Sequence, residues 1–232
     1  MNSTEEKLSR FSCFFHYMKI VKGIIQFSYN ARYFKFGRID DTTVEIWFVF
    51  HGYGQMANYF LRKFDCISGD SICVIAPEGL SRFYLEGFYG KTGATWMTKE
   101  ERETDIENYL HYLNAVYYKE LSGIDNKNIH ITFLGFSQGA ATASRWAVSN
   151  SEGLNRLILW AGIFPPDLNV EADSDTLKNI EVLNIYGRND AYLNNDVIME
   201  QKEIIRKLNV YVKTIVFDGG HEMDSDTLES LR

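Results

Sequence analysis

Short apolar runs closed by glycine or proline alternate along this chain with stretches whose apolar residues recur every three or four positions. Residues 44–50 read Val-Glu-Ile-Trp-Phe-Val-Phe and stop at His51-Gly52, and residues 72–76 stop at Pro77. Runs this short and this apolar suit strands buried on both faces. Further strands are predicted at 129–134, 156–160, 181–186 and 210–217, with two early ones at 19–29 and 31–37 joined as a hairpin. Helical patterns fall between them at 57–65, 100–121, 138–149, 174–179 and 195–208, with a last helix from Ser225. In the 100–121 stretch, Ile106, Tyr109, Leu110, Leu113, Val116 and Tyr117 share one face. Strands alternating with helices predict an α/β fold, a mainly parallel central sheet of about eight strands with helices on both faces.

With 232 residues, 45% of them hydrophobic and 24% charged, the chain is expected to form a single domain over 1–232, with 1–17 as a frayed N-terminal segment. A net charge of -7 without any basic block argues against nucleic acid as a main partner. Three cysteines, Cys13, Cys66 and Cys73, without a CxxC pair fit free thiols in a reducing compartment, so a cytoplasmic location is expected. No apolar run is long enough for a membrane span. The apolar stretch 11–17 is followed by Lys19 without an obvious cleavage site, so no signal peptide is expected. The His and Cys residues are scattered rather than set at ligand spacing, and no metal site is expected. An exposed edge strand or the aromatic segment 77–98 leaves a homodimer open.

Ligands of open α/β sheets bind beyond the carboxyl ends of the strands. The residues just after each apolar run are therefore the ones to read for chemistry. Gly135-Phe136-Ser137-Gln138-Gly139 follows one predicted strand and opens a predicted helix. This is G-x-S-x-G in its strand–turn–helix setting, where small neighbours allow a sharp turn that lifts Ser137 to the sheet edge. A bare string of this form also occurs in turns without chemistry; the flanking elements favour a nucleophile. A serine needs a base. Of the five histidines, His221 is best placed, in the turn Asp218-Gly219-Gly220-His221-Glu222 after the last strand. The imidazole in turn needs a carboxylate to orient it. Asp190 closes Gly187-Arg188-Asn189-Asp190 after another strand; an Asp there also caps helices, although Asn194 and Asn195 offer nearer caps.

The expected oxyanion hole pairs the backbone N–H of Gln138 with that of Tyr53, from the loop His51-Gly52-Tyr53-Gly54-Gln55. His51 reads as a structural residue of that loop. Segment 77–98 carries Phe83, Tyr84, Phe88, Tyr89 and Trp96. It is expected to wall an apolar acyl or alcohol group with Tyr89 and Trp96, and packing on the core is an equally good reading. Ile163, Phe164, Pro165 and Pro166 follow another strand, and Phe164 is the candidate for the opposite wall.

Taken together, His51-Gly52-Tyr53-Gly54, the Gly-Phe-Ser-Gln-Gly elbow, Gly187-Arg188-Asn189-Asp190 and Gly220-His221 resemble the phospholipase/carboxylesterase group of α/β-hydrolases, which includes acyl-protein thioesterases. The resemblance spans about 44–222. It implies the α/β-hydrolase fold and a serine carboxylesterase acting on a small-molecule ester or thioester through an acyl-enzyme on Ser137, without a cofactor. Tyr186 precedes Gly187 where the thioesterases usually have His, which weighs against acyl-protein substrates. A non-catalytic binding protein on the same fold and a serine peptidase are the rival readings.

Overall fold

A computed structural model describes residues 20–124 and 128–232. The N-terminal segment 1–17, with its apolar stretch and Cys13, lies outside the described residues. By its contacts the chain divides into two units, Met1–Asn30 and Ala31–Arg232. The strands and helices among the described residues all belong to the second.

The main sheet has seven strands: β1 (Tyr33–Phe36), β2 (Glu45–Phe50), β3 (Ile72–Pro77), β6 (His130–Phe136), β7 (Leu154–Trp160), β8 (Glu181–Gly187) and β9 (Val212–Phe217). Their spatial order is β1-β3-β2-β6-β7-β8-β9, and only β1 runs antiparallel to its neighbour. A separate antiparallel hairpin, β4 (Ser81–Tyr84) with β5 (Thr92–Thr95), stands apart from it. The helices are α1 (Ala57–Leu61), continued by a 3-10 turn (Arg62–Ile67), α2 (Arg102–Leu121), α3 (Gln138–Ser149), α4 (Val170–Lys178), α5 (Asn195–Leu208) and α6 (Ser225–Glu229). The α/β expectation holds: this is the mostly parallel sheet of an α/β-hydrolase fold.

Two expectations need correction. Residues 20–29 form no strand, and Ile20, Val21, Ile24, Ile25 and Phe27 are all more than two-thirds exposed. A β-prone run without a paired strand leaves its backbone groups to water, so no 19–29/31–37 hairpin forms over these residues. Among the described residues the hairpin is β4–β5, inside the aromatic segment 77–98, where the sequence predicts no strand.

Period-two alternation within each strand divides the core into two layers. Ile46, Phe48 and Phe50 face one cluster with Phe133, Tyr117 and Trp146. Trp47 and Val49 face the other, with Phe60, Phe64, Leu134, Phe136 and Trp160. Both faces are therefore covered, which is why the central strands read as unbroken apolar runs. On the first face, Phe133 and Trp146 stack with centroids 4.0 Å apart and planes 8° from parallel.

The order of the strands decides where a ligand can sit. From β2 the chain adds β3 on one side, then returns to place β6 against the other side of β2. Phe50 pairs with Gly135 in that register, so the loops leaving β2 and β6 emerge side by side. That reversal of direction opens a crevice at the carboxyl ends of the strands.

Because Phe133 is fully buried between Phe48, Phe50 and Trp146, Phe133→Ala leaves a cavity in a close-packed layer. It is expected to destabilise the protein by about 3–5 kcal/mol, read as a fall in the urea midpoint at unchanged slope.

Candidate active site

Ser137 occupies the corner between β6 and α3 with φ 54 and ψ -118, in a left-handed region that non-glycine residues rarely occupy. Such backbone strain costs on the order of 1–3 kcal/mol and persists only where the surroundings impose it. Here the Ser137 N–H donates to the Trp160 carbonyl at 2.8 Å, and the Ser137 carbonyl accepts from the Ala140 N–H at 3.0 Å. The flanking glycines are needed for close approach. A Cβ on Gly135 would overlap the Gly139 carbonyl, and one on Gly139 would overlap the Phe50 carbonyl.

The corner aims the hydroxyl at His221. Ser137 Oγ lies 2.9 Å from His221 Nε2, and His221 Nδ1 lies 2.8 Å from Asp190 Oδ2. An Asp190 carboxylate can only accept, so Nδ1 carries the proton and Nε2 is left to accept from the serine. Asp190 is itself fixed, because Oδ1 accepts from the Tyr192 N–H at 2.9 Å. The loops bearing these two residues are tied together by Arg188 N–H to Phe217 O and Asn189 N–H to Gly219 O, both 2.9 Å. The His221 ring sits between Phe136 (centroids 5.0 Å) and Tyr192 (4.6 Å), and Trp160 Nε1 donates to the adjacent Glu222 carbonyl at 2.8 Å. The three residues singled out from the sequence thus lie in one hydrogen-bonded series, with Asp190 buried and His221 partly open.

The loop after β2 runs against this corner, since a Cβ on Gly52 would lie 3.3 Å from Ser137 Cβ. Two of its N–H groups are used: Gly52 donates to Gln55 Oε1 and Gly54 to the Ala94 carbonyl, each at 2.9 Å. The Tyr53 N–H has no hydrogen-bond partner among the described residues, nor has that of Gln138 at the first position of α3. Backbone N–H groups at that end of a helix have no intrahelical acceptor and favour negative charge.

Side chains behind the site hold these loops in place, and the sequence reading missed most of them. Gln138 Oε1 accepts from Thr95 Oγ1 (3.0 Å) and the Trp96 N–H (3.2 Å), while its Nε2 donates to the Met97 carbonyl (3.0 Å). His51 is fully buried; its Nδ1 lies 2.8 Å from the Gly52 carbonyl and its Nε2 accepts from the Gly79 N–H at 3.0 Å. That pairing requires the proton on Nδ1 and a neutral ring. Burial pushes its pKa down to about 4 from the usual 6.5. Trp96 stacks on His51 with centroids 5.0 Å apart and donates from Nε1 to the His51 carbonyl at 2.9 Å.

Two of the three residues expected to contact substrate are therefore core residues. Trp96 is 2% exposed beneath the β2 loop, and Phe164 is completely buried, its N–H donating to Gln201 Oε1 of α5 at 3.0 Å. Tyr89 alone is open, at 86% exposure in the β4–β5 turn. No group of three or more His, Cys, Asp or Glu among the described residues is placed to hold a metal ion.

Residues 41–232 match the family model described as phospholipase/carboxylesterase. The chain belongs to that family. Solved structures with the same fold include acyl-protein thioesterase 2 of Zea mays (TM-score 0.62, 16% identity, 87% of this chain and 96% of that one). The Bacillus cereus carboxylesterase gives a TM-score of 0.60 at 16% identity over 87% and 91% of the two chains. A phospholipase/carboxylesterase of Dyadobacter fermentans gives 0.60 at 19% identity over 89% and 96%. A search of curated proteins finds no match. Family membership makes this an esterase- or thioesterase-type hydrolase.

The buried neutral His51 has a consequence for stability. Its pKa is depressed in the folded protein, so as pH falls below about 6.5 the unfolded chain takes up the proton first and folding weakens. The loss accumulates down to about 4, where the folded form also protonates, and totals roughly 3 kcal/mol. Urea titrations across this range should show a steep pH slope in the wild type that is shallower by nearly one proton in His51→Gln.

Proposed function

We propose that this chain is a serine carboxylesterase that cleaves a small-molecule ester or thioester through an acyl-enzyme on Ser137. The observation that carries the reading is the unbroken series from Ser137 Oγ to His221 Nε2 and from His221 Nδ1 to Asp190, at 2.9 and 2.8 Å.

In this scheme Ser137 Oγ attacks the carbonyl carbon as His221 Nε2 takes the hydroxyl proton. Asp190 keeps the imidazole in the useful tautomer and stabilises the imidazolium. The carbonyl oxygen gains negative charge, which the N–H groups of Tyr53 and Gln138 stabilise by donating to it. Two such donors fixed before the reaction avoid the cost of reorienting water and contribute several kcal/mol to the barrier reduction. The His221 proton then goes to the departing alkoxide or thiolate, leaving Ser137 acylated. Water, deprotonated by the same nitrogen, attacks the acyl group; the tetrahedral intermediate collapses, releasing the acid and returning the proton to Ser137. Tyr89 and the exposed Phe88 beside it form the outer lip of the substrate site in this reading.

A cytoplasmic setting fits the free thiols of Cys66 and Cys73. Among the described residues no helix is long and apolar enough to cross a membrane.

The test is hydrolysis of a p-nitrophenyl ester series from acetate to palmitate. Wild-type turnover with a defined chain-length optimum is expected, and Ser137→Ala should lower kcat at least about a thousandfold. Asp190→Asn, which favours the wrong imidazole tautomer, is expected to lower kcat by about 10⁴. Folded protein that neither hydrolyses any member nor reacts with a fluorophosphonate would instead mark a binding protein, and equal rates on amides would mark a peptidase.

A further inference from the structure

The β2 loop has a second face. It meets Ser137 at Gly52, while Gly54 and Gln55 border a cleft of about 580 Å³ on the way to the β4–β5 hairpin. That volume is in the usual range for a small-molecule site. Tyr59 and Leu85 supply apolar wall, and the charged groups lining it are Lys63, from the 3-10 turn after α1, and Lys91, from the hairpin. No Asp or Glu is among the lining residues, and Glu86 on the same hairpin is not one of them.

Both ammonium groups are without a carboxylate partner among the described residues, as are those of Lys99, Lys202 and Lys213, whereas Lys35, Lys178 and Lys207 each pair with one. Two cations from separate elements lining one ligand-sized cleft, with no carboxylate among its lining residues, call for an anion. The apolar wall beside them calls for a carbon skeleton carrying it.

We propose that this cleft binds an anionic group, a carboxylate or phosphate, carried on the ester or thioester substrate, with Lys63 and Lys91 as its counter-ions. The proposal rests on the hydrolase reading of Ser137 and adds a substrate class to it: acidic esters rather than plain acyl esters. A lone exposed ion pair contributes little. Two ammonium groups acting on one anion in a partly enclosed cleft make a charge-assisted contact strong enough to discriminate.

The test compares two p-nitrophenyl esters of equal acyl length, the neutral valerate and the acidic monoester of glutarate. Wild-type kcat/KM should favour the glutarate monoester by about tenfold. Lys63→Gln/Lys91→Gln should erase that preference, mainly through KM, while valerate hydrolysis stays within about twofold. Calorimetric titration with glutarate and with inorganic phosphate on both proteins gives a readout independent of turnover and separates the two anions. Equal rates on both esters in the wild type, or a preference that survives the double substitution, would overturn the proposal while leaving a hydrolase. Anion binding lost in the double variant, from a protein that cleaves neither ester, would keep the anion site and overturn the hydrolase reading instead.

Discussion

At the crossing of β2, β6 and α3, three stretches of backbone come closer than side chains would allow. Gly135 and Gly139 make room for one another and for the Phe50 carbonyl, and Gly52 fits beside Ser137. Between them Ser137 has no relaxed conformation to adopt, and its φ of 54 is the result. The strain is sustained because the residue is anchored on both sides, by the Trp160 carbonyl and by the first turn of α3. The same crowding lifts Oγ clear of the sheet and sets it next to His221. It also brings to the same corner two backbone N–H groups that have no acceptor among the described residues. The rest of the molecule serves this crossing: aromatic layers on both sheet faces keep the strands from shifting, and small shifts would lengthen the two hydrogen bonds of the series.

Behind the crossing lies a largely buried, hydrogen-bonded polar layer. His51, Trp96, Gln138, Thr95 and Gly79 satisfy one another, linking the β2 loop, the elbow helix and the strand β5. In a low-dielectric setting a half-satisfied network of this kind would be costly, whereas a complete one specifies a single arrangement. Gln138 divides its groups between two tasks. Its backbone N–H is left open at the elbow, while its side chain ties down residues 95–97.

On the proposed reading, chemistry and selectivity are carried by different parts of the chain. Ser137, Asp190 and His221, the proposed reacting groups, stand just beyond the strand ends β6, β8 and β9. The exposed aromatics Tyr84, Phe88 and Tyr89 belong to the hairpin, and the cleft with Lys63 and Lys91 lies between that hairpin and the outer side of α1 and its 3-10 turn, whose Phe60 and Phe64 sit in the second core layer. Loops mounted on a rigid scaffold are where substrate preference is altered at least cost to stability.

Much of this was legible in the residues. Buried parallel strands must be apolar throughout, so β2, β3, β6, β7 and β8 announce themselves, and G-x-S-x-G between a strand and a helix marks the elbow. Ser137, Asp190 and His221 could be named because each follows a strand end in a recognisable turn. Their placement within hydrogen-bonding distance came from the strand order, which no local pattern encodes. The segments that misled were those in which aromatic or β-branched residues carry no period. In 20–29 they form no strand and stay exposed; in 81–95 they form a hairpin; Trp96 and Phe164, read as pocket walls, were drawn into the core because folding buries large apolar area wherever the packing admits it. Local sequence determined the elements and the chemistry available at their ends. Tertiary packing decided which of those ends meet and which aromatics face solvent, because both depend on contacts between residues far apart in the chain.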